Sequence, residues 1–447
     1  MRGAIAAGHP LTTEAGAGVL AAGGNAVDAL VAAALAAFVT EGPLTGPTGG
    51  GFLLVHVGGV TTMLDCFFAV PSSSLGEMDE VVIDFADAST QTFHVGEGSV
   101  AVPGLLHGLT RVAEQFGSRL WADLVEPALE LARIGVEPTA EQAFLHEILI
   151  PILQRSEAGR AVYGDAARVD TSRLVPTLEA IRDRGSAVAA ELLPELAADL
   201  ARYAPRELEP RRTRFRDADV LTVPSPSKGG AIVAEILRLL DSPEPAGLVA
   251  IVAAVGQAYA GPVAPTRITG TTHISVVDAA GNAAALSSTL GSGSGVFRGG
   301  SQLNNMLGEL DVIGDLEQAP GARLPSMMTP TLVLSGGRPR LVVGSAGSVR
   351  LAGAIAQVAQ RVVGTGQPVA DAIAAPRVHV EGGVAHVEGG WADAEVEALE
   401  RAGALEVVRW GGRNLFFGGV SAVETLADGS LAAAGDPRRG GRGVVVA

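Results

Sequence analysis

Two threonines in one stretch of this sequence have the types and spacing needed for covalent chemistry. Residues 270–290 contain two β-type runs separated by Asp278–Asn282, whose Asp, Gly and Asn favour turns, so the stretch predicts a β-hairpin with a loop of about five residues. Pairing symmetric about residue 280 sets Thr271 opposite Thr289, with Cβ atoms roughly 4.5–5.5 Å apart. A threonine hydroxyl is a weak nucleophile, but an N-terminal threonine carries its own base in its α-amino group.

Thr271 can be an N-terminal nucleophile only if the chain is cut between Gly270 and Thr271. Attack of the Thr271 hydroxyl on the Gly270 carbonyl would give an ester by an N-to-O acyl shift, and water would then hydrolyse that ester. Glycine at this position leaves the carbonyl unhindered. The simpler interpretation is a cross-strand threonine pair that stabilises a hairpin, and the residues alone favour it. His273 lies on the same strand face as Thr271, where we expect it to support the structure.

The segments around the hairpin must position these hydroxyls. Residues 13–22 and 25–39 predict two alanine-rich helices, with Asn25 capping the second. The glycines 49–51 precede a predicted strand and indicate either close approach of the backbone to a substrate or a tight loop. Residues 344–350 follow a strand and precede a helix, so their N–H groups could stabilise a developing oxyanion.

Short motifs spread over the chain carry a family resemblance. They are Thr271-Thr272-His273 in the hairpin, and His9-Pro10, Gly23-Gly24-Asn25, Gly49-Gly50-Gly51, Val102-Pro103-Gly104, Pro226-Ser227-Lys228-Gly229-Gly230, Leu303-Asn304-Asn305, Ser326-Met327-Met328-Thr329-Pro330 and Gly344-Ser345-Ala346-Gly347. In this order the chain resembles the γ-glutamyltransferases, N-terminal-nucleophile hydrolases made as one chain that cuts itself before a Thr-Thr-His motif. The resemblance reverses the preference for a merely structural threonine pair.

The resemblance implies the fold and the division of the chain. It implies an α+β fold, a four-layer αββα sandwich in which two antiparallel sheets pack face to face between helical layers. Residues 1–447 would form one domain of two intertwined segments, 1–270 and 271–447, with self-cleavage between Gly270 and Thr271.

The resemblance also implies catalytic roles. Thr271 would be the nucleophile, its α-amino group the general base, and Thr289 a hydroxyl partner. Gly347 and Ser348 match the Gly-Gly pair whose N–H groups face the oxyanion in the family, and the serine keeps the N–H group.

The positions that match the family's substrate-binding residues depart most from its pattern. Phe67 stands where the family has an arginine that clamps the substrate carboxylate, and a phenyl ring cannot replace a bidentate guanidinium. Gly291 and Met306 stand at positions typically held by asparagine and glutamine. Glu309 corresponds to the acid that binds the substrate amine, and Ser326 is retained from a pair of serines. Together these differences remove most of the polar side chains that would bind an amino acid head group.

Three functions are compatible with these residues. The first is hydrolysis or transfer of the acyl group of a γ-glutamyl amide such as glutathione, which family membership and Glu309 favour. The second is an amidase or acylase of the same fold with a more apolar acyl donor, which Phe67 and Met306 favour. The third is an uncleaved, non-catalytic family member with a binding role.

Composition limits the partners. The net charge of −16 is spread over the 447 residues, so we expect a solubilising surface and no nucleic-acid partner. The most apolar window, residues 29–39, is too short to cross a bilayer, and no secretory signal is visible, so we expect a cytoplasmic protein without membrane contact. No residue spacing suggests a metal site. We therefore expect a small-molecule amide substrate and no cofactor or metal, and a homo-oligomer remains possible.

Overall fold

Twenty strands and fifteen α-helices make up the described part of the chain. The computed structural model of the protein describes residues 2–84, 90–164, 168–260, 270–313 and 319–447. The strands are β1 (Gly3–Ala7), β2 (Gly50–Val57), β3 (Val60–Cys66), β4 (Asp79–Asp84), β5 (Thr90–Val95), β6 (Arg206–Leu208), β7 (Arg211–Phe215), β8 (Ala218–Thr222), β9 (Gly270–Asp278), β10 (Ala283–Gly291), β11 (Phe297–Arg298), β12 (Ser301–Gln302), β13 (Thr331–Ser335), β14 (Arg338–Ala346), β15 (Val378–Glu381), β16 (Val384–Val387), β17 (Glu406–Arg409), β18 (Gly419–Thr425), β19 (Leu431–Gly435) and β20 (Arg442–Val446).

The fifteen α-helices connect these strands along the chain. They are α1 (Pro10–Ala21), α2 (Ala26–Thr40), α3 (Leu105–Phe116), α4 (Trp121–Ile134), α5 (Ala140–Leu153), α6 (Glu157–Tyr163), α7 (Val175–Arg184), α8 (Val188–Leu192), α9 (Ala197–Arg202), α10 (Gly229–Leu239), α11 (Leu248–Ala258), α12 (Leu310–Ile313), α13 (Leu351–Ala359), α14 (Val369–Ala374) and α15 (Asp393–Ala402). None of the helices among the described residues combines the length and the apolar composition that a bilayer span needs.

Two antiparallel sheets form the centre of the fold. The first has the strand order β20-β1-β9-β10-β2-β3-β6, and the second has the order β19-β18-β14-β13-β8-β7. They pack face to face, with β14 and β18 against β9 and with β14 against β10. Helices α1 and α2 cover the outer face of the first sheet, and α10 and α13 cover the second. The expected four-layer αββα sandwich is confirmed.

Strand β9 is buried on both faces because it lies in the middle of the first sheet. Its alternate side chains point in opposite directions: Ile274 and Val276 join the apolar cluster under the helices, whereas Val277 joins the cluster between the sheets. Every residue of β9 and β10 is buried. A nucleophile at the start of β9 is therefore held by the rigid centre of the molecule.

Helix α2 supports that centre from outside. All its residues are buried, and its N-terminus has the predicted cap: the Asn25 side chain accepts from the amides of Val27 and Asp28, while the Asp28 carboxylate accepts from the Asn25 amide. The helix begins one residue after Asn25 and ends at Thr40, close to the predicted bounds.

The triple glycine begins strand β2 and permits a close backbone contact. A Cβ atom on Gly51 would lie 2.3 Å from the carbonyl oxygen of Ser287 in the neighbouring strand β10. A side chain here would push β2 away from β10. The contact that requires glycine at position 51 is thus with the protein's own backbone.

Candidate active site

The hairpin has the predicted centre but contains a β-bulge at the site. The β9–β10 ladder runs from Val277↔Ala283 to Thr272↔Ser288, symmetric about residue 280, and resumes at Gly270↔Gly291. Thr289 and Leu290 of β10 therefore lie opposite a single residue of β9, Thr271. The predicted register with Thr271 directly opposite Thr289 is wrong at this one step, because the ladder is shifted before it reaches that pair.

The bulge gives the Thr289 hydroxyl a specific pair of partners. It donates a hydrogen bond to the carbonyl oxygen of Gly270 and accepts one from the Gly291 amide at 2.8 Å. The Gly270 carbonyl belongs to the peptide bond at which self-cleavage is predicted. The hydroxyl is thus placed to withdraw electron density from that carbonyl and to stabilise negative charge on its oxygen.

Thr271 is 3% exposed and lines a cavity in which most of the predicted site residues meet. Its empty space of about 350 Å³ includes open solvent, and we call it the methionine cavity. Its lining residues are Phe67, Thr271, Thr289, Gly291, Met306, Glu309, Ser326, Met327, Met328, Ser348 and Leu351. Eight of these were predicted from the sequence. Met327, Met328 and Leu351 were not, although the first two lie inside a matching motif.

Phe67 forms one wall of the methionine cavity and is fixed by other rings. It is 1% exposed, stacks on Phe52 with ring centroids 5.4 Å apart, and meets Phe68 edge-on at 4.9 Å. Arg323 approaches the backbone of Phe67 but lies over the ring of Tyr203, outside the cavity. No arginine or lysine is among the described residues that line the methionine cavity.

Glu309 and Gly291 also line this cavity and lie close to each other. A Glu309 carboxylate oxygen accepts from the amide and the hydroxyl of Ser292, at 2.9 and 2.7 Å. Gly291 has φ +71°, and a Cβ atom there would lie 2.2 Å from Asn305 Oδ1 and 3.0 Å from Glu309 Oε1. Position 291 therefore has room only for glycine. Part of the Glu309 carboxylate is already hydrogen-bonded to Ser292 of the same chain.

The predicted oxyanion segment follows strand β14. Gly347 has φ +128°, and Ser348 has φ +57°, in the left-handed region that favours glycine. Ser348 lines the methionine cavity, whereas Gly347 lies just behind it. Neither amide makes a hydrogen bond with the part of the chain that the structure describes. The serine has kept the backbone conformation that suits a glycine, so both N–H groups remain available as donors.

His273 holds the strands together and stays neutral. Its Nδ1 and Nε2 atoms are 2.8 and 2.9 Å from the hydroxyls of Ser287 and Ser275. Burial lowers the pKa of His273 to about 3, because a charged ring would lose its hydration. The ring fills the space above Gly344 in the facing sheet. It has no free nitrogen with which to act as a base.

A second cavity also reaches Thr271; its empty space of about 550 Å³ includes open solvent, and we call it the charged cavity. It lies beside Thr272, whose hydroxyl donates to Glu41 at 2.6 Å, and it includes Arg439 near the C-terminus. Burial raises the pKa of Glu41. Glu41 and Arg439 lie far apart in the chain and belong to no motif that suggests a functional role.

The described residues hold no grouping of three or more His, Cys, Asp or Glu side chains suited to a metal ion. Thr289 and Ser348, each with a hydroxyl, line the same cavity as Thr271.

Comparisons with known proteins show the family and the fold. The family model described as gamma-glutamyltranspeptidase matches residues 12–259 and 250–446. The acylase ACY 1 proenzyme of Pseudomonas sp. (strain SE83) is 27% identical over 531 aligned positions, covering 100% of this chain and 94% of the relative. The glutathione hydrolase proenzyme of Pseudomonas aeruginosa is 28% identical, over 84% of this chain and 82% of the relative. The crystal structure of a cephalosporin acylase from Bacillus halodurans has the same fold, with a TM-score of 0.80, 20% identity and coverage of 99% and 95%.

Proposed function

Because this chain belongs to the gamma-glutamyltranspeptidase family of N-terminal-nucleophile enzymes, we propose that it hydrolyses or transfers an acyl group more apolar than γ-glutamyl, through an ester on Thr271. The observation that carries this proposal is the lining of the methionine cavity. Phe67 and four further apolar side chains, Met306, Met327, Met328 and Leu351, surround the space next to Thr271. Such a surface binds apolar groups by removing their surface from water, and methionines adapt to varied shapes.

The described residues that line the cavity include no cation for the carboxylate of an amino acid head group. A γ-glutamyl donor would bring an α-carboxylate and an α-ammonium into it, and a buried carboxylate without a cationic partner is strongly unfavourable. Phe67 lies where the family's arginine would form that pair. The relative named as an acylase is compatible with this difference.

Maturation would use the groups around the Gly270–Thr271 bond. The Thr271 hydroxyl attacks the Gly270 carbonyl, whose oxygen receives the hydrogen bond from Thr289. The C–N bond breaks, the proton of the hydroxyl passes to the new amine, and water hydrolyses the resulting ester. The products are a carboxylate on Gly270 and a free α-amino group on Thr271.

Catalysis would then repeat the same chemistry on a substrate amide. The α-amino group takes the proton of the Thr271 hydroxyl as it attacks the acyl carbonyl, and it returns the proton to the leaving amine. The Gly347 and Ser348 amides stabilise the oxyanion. Water, or a second amine, takes the acyl group from the ester.

A γ-glutamyl amide such as glutathione is the second candidate donor. Glu309 in the methionine cavity favours it, because a carboxylate there can pair with a substrate ammonium. The relatives named as glutathione hydrolases point the same way. The two candidates differ only in the acyl group.

The first test is the mass of the purified protein, compared with Thr271→Ala. We expect the wild type to give two fragments that meet between Gly270 and Thr271, and the variant to remain one chain. A single wild-type chain would favour a non-catalytic role and would remove the proposed mechanism.

The second test is a panel of 4-nitroanilides that differ only in the acyl group. We expect phenylacetyl and hexanoyl anilides to give a kcat/KM at least tenfold above that of the γ-glutamyl anilide. Met306→Gln, which introduces the side chain typical of the family, should bring the kcat/KM values for the apolar and γ-glutamyl anilides closer together. Faster release from the γ-glutamyl anilide would establish the second candidate instead.

A further inference from the structure

Thr271 lies at the junction of two cavities of different chemistry. The charged cavity and the methionine cavity share Thr271, and no other described residue lines both. The methionine cavity is lined by five apolar side chains, four side chains with a hydroxyl and Glu309. The other includes three acids and two arginines: Glu41, Glu141, Asp436, Arg438 and Arg439. An amide whose carbonyl carbon is attacked by Thr271 has two halves, and the two cavities offer each half a separate environment.

Two charged side chains of the charged cavity, Arg438 and Asp436, are already neutralised by neighbours. The Arg438 guanidinium donates to both carboxylate oxygens of Glu388, at 2.7 and 2.6 Å, and to Asp436 at 3.1 Å. Asp436 also accepts from Arg377 at 2.6 Å. These four residues form a closed buried network, as buried charges must. Arg438 and Asp436 therefore have little charge left for a ligand.

Arg439 is different. It forms no ion pair within 4 Å with the described residues, and its Nε atom is buried without a hydrogen-bond partner in that part of the chain. Its one hydrogen bond, from Nη2 to the Leu415 carbonyl, is long at 3.4 Å. The aliphatic part of the side chain lies against Gly419, where a Cβ atom would be 2.4 Å from Arg439 Cδ. The guanidinium is therefore held in place with unused donors.

A guanidinium in this situation favours an anion. Burial lowers the pKa of Arg439 to about 10, so the group remains a cation at neutral pH. Its planar donors match the two oxygens of a carboxylate. The carboxylate of Glu41 in the same cavity accepts from the hydroxyls of Thr12 and Thr272 and attracts Arg439 at longer range, but it accepts no hydrogen bond from Arg439.

We infer that the charged cavity holds the amine half of the substrate amide, and that this half carries a carboxylate which pairs with Arg439. This inference rests on the proposed function and names the leaving group that it left open: an amino acid, a peptide or another amine that bears a carboxylate. The amine takes the proton delivered from the Thr271 hydroxyl and departs through the charged cavity, while the acyl group stays on Thr271 in the methionine cavity.

The test uses two amides of the same size. The acyl group of the best anilide is joined to 4-aminobenzoate and to 4-aminobenzamide, which differ in the negative charge. For the wild-type enzyme we expect kcat/KM to be at least tenfold higher for the 4-aminobenzoate amide. In Arg439→Met, which keeps the aliphatic packing against Gly419, the two amides should come within about twofold of each other. Equal kcat/KM values for the wild type would overturn the inference.

The matched control is Arg442→Met. Arg442 is three residues along, pairs with Glu14 on the surface and does not line the charged cavity. It should keep the wild-type preference, and loss of the preference there as well would contradict a role specific to Arg439.

Two further measurements separate this inference from the proposed function. Inhibition of the wild type by free 4-aminobenzoate, compared with 4-aminobenzamide, needs no variant and still decides the matter if Arg439→Met fails to mature. Binding of 4-aminobenzoate, followed by saturation-transfer NMR, needs no activity. If no amide is cleaved but 4-aminobenzoate binds to the wild type and not to Arg439→Met, the proposed function fails and the anion site stands. If 4-aminobenzoate does not bind, the site fails.

Discussion

At the level of single residues, the Thr289 hydroxyl makes the contacts that the predicted self-cleavage would use. Its hydroxyl lies between the Gly291 amide, from which it accepts, and the Gly270 carbonyl, to which it donates. An oriented hydroxyl that already contacts a carbonyl oxygen needs no rearrangement when negative charge develops there. Once the Gly270–Thr271 bond is cut, the same hydroxyl would lie near the new α-amino group of Thr271.

Thr289→Val should slow self-cleavage. Valine keeps the shape of threonine but removes the donor to the Gly270 carbonyl, and loss of one such donor typically costs roughly 10²–10³ in rate. The half-time for appearance of the two fragments, followed by gel or mass spectrometry after synthesis, should rise by at least tenfold. Ser288→Ala is the control, because that neighbouring hydroxyl bonds to Thr45; an equal delay there would mean that general damage to β10 is responsible.

Ser348 offers a test of backbone geometry. Its φ of +57° costs a non-glycine residue roughly 1–2 kcal/mol. Ser348→Gly should therefore mature and act on anilides within about threefold of the wild type, because the N–H group and the conformation are kept. Ser348→Val, with a branched side chain in the same conformation, should lower the melting temperature and the activity. A fully active Ser348→Val enzyme would show that this conformation is not required.

Local patterns predicted part of the cavity lining. The hairpin predicts that Thr271 and Thr289 lie close together, whereas Ser348 follows a strand of the facing sheet and was predicted from the family resemblance alone. Arg439 could not be predicted, because its importance depends on having no partner in the folded state. Met328 lay within a recognised motif, but only the packing of distant segments shows that it faces Thr271.

At the level of elements, the β9–β10 hairpin is tied to helix α2 by one side chain. Asp278 at the end of β9 accepts from the amides of Ala280 and Asn282 and from the Asn282 side chain within the turn. It also accepts from the amide of Ala26 at 3.0 Å, at the positive N-terminus of α2. A single carboxylate therefore closes the turn and sets the helix against the sheet that carries Thr271.

Asp278→Ala should destabilise the protein by about 2–4 kcal/mol, because hydrogen bonds to a charged group contribute roughly 1.5–3 kcal/mol each and a buried amide of α2 loses its partner. The measurement is urea unfolding followed by circular dichroism. Asp428→Ala is the matched control: Asp428 also lies in a turn but bonds to Ser430 alone, on the surface. Its cost should stay below about 0.5 kcal/mol. Equal costs for the two variants would contradict the link to α2.

The register shift at the bulge is the part of the hairpin that the sequence did not predict. Turn residues and alternation predicted the centre of symmetry at residue 280, and the ladder follows it as far as Ser288. Beyond that point the Leu290 amide donates to the Leu44 carbonyl, and the Leu290 carbonyl accepts from the Asn305 amide. These partners lie far from the hairpin in the sequence, so local patterns could not indicate the register shift that they stabilise.

At the level of the whole molecule, buried histidines make stability depend on pH. Burial lowers the pKa of His9 to about 4 and that of His273 to about 3, from 6.5. As the pH falls below 6.5, the unfolded chain binds protons at these residues whereas the folded protein does not. Each histidine therefore lowers the free energy of unfolding by up to about 1.4 kcal/mol per pH unit, until its folded pKa is reached.

His273→Gln should weaken this dependence. The free energy of unfolding, measured with urea between pH 7.5 and 4.5, should fall less steeply below pH 6.5 in the variant than in the wild type. Comparing slopes removes any constant cost of the substitution at pH 7.5. Glu41, Asp65 and Glu424, whose pKa values are raised by burial, act in the opposite direction but equally in both proteins. Parallel curves would mean that His273 is protonated in the folded state.

The strand order of the first sheet has a consequence for refolding. Strand β1 lies between β20 and β9, and β2 pairs with β10, so strands from the two sides of the Gly270–Thr271 bond alternate across one sheet. While that bond is intact, every hydrogen bond between them forms within one molecule, and refolding is first order in protein. Once it is cut, the unfolded pieces must find each other by diffusion, so recovery becomes second order and fails on dilution, although the folded protein has lost a single covalent bond.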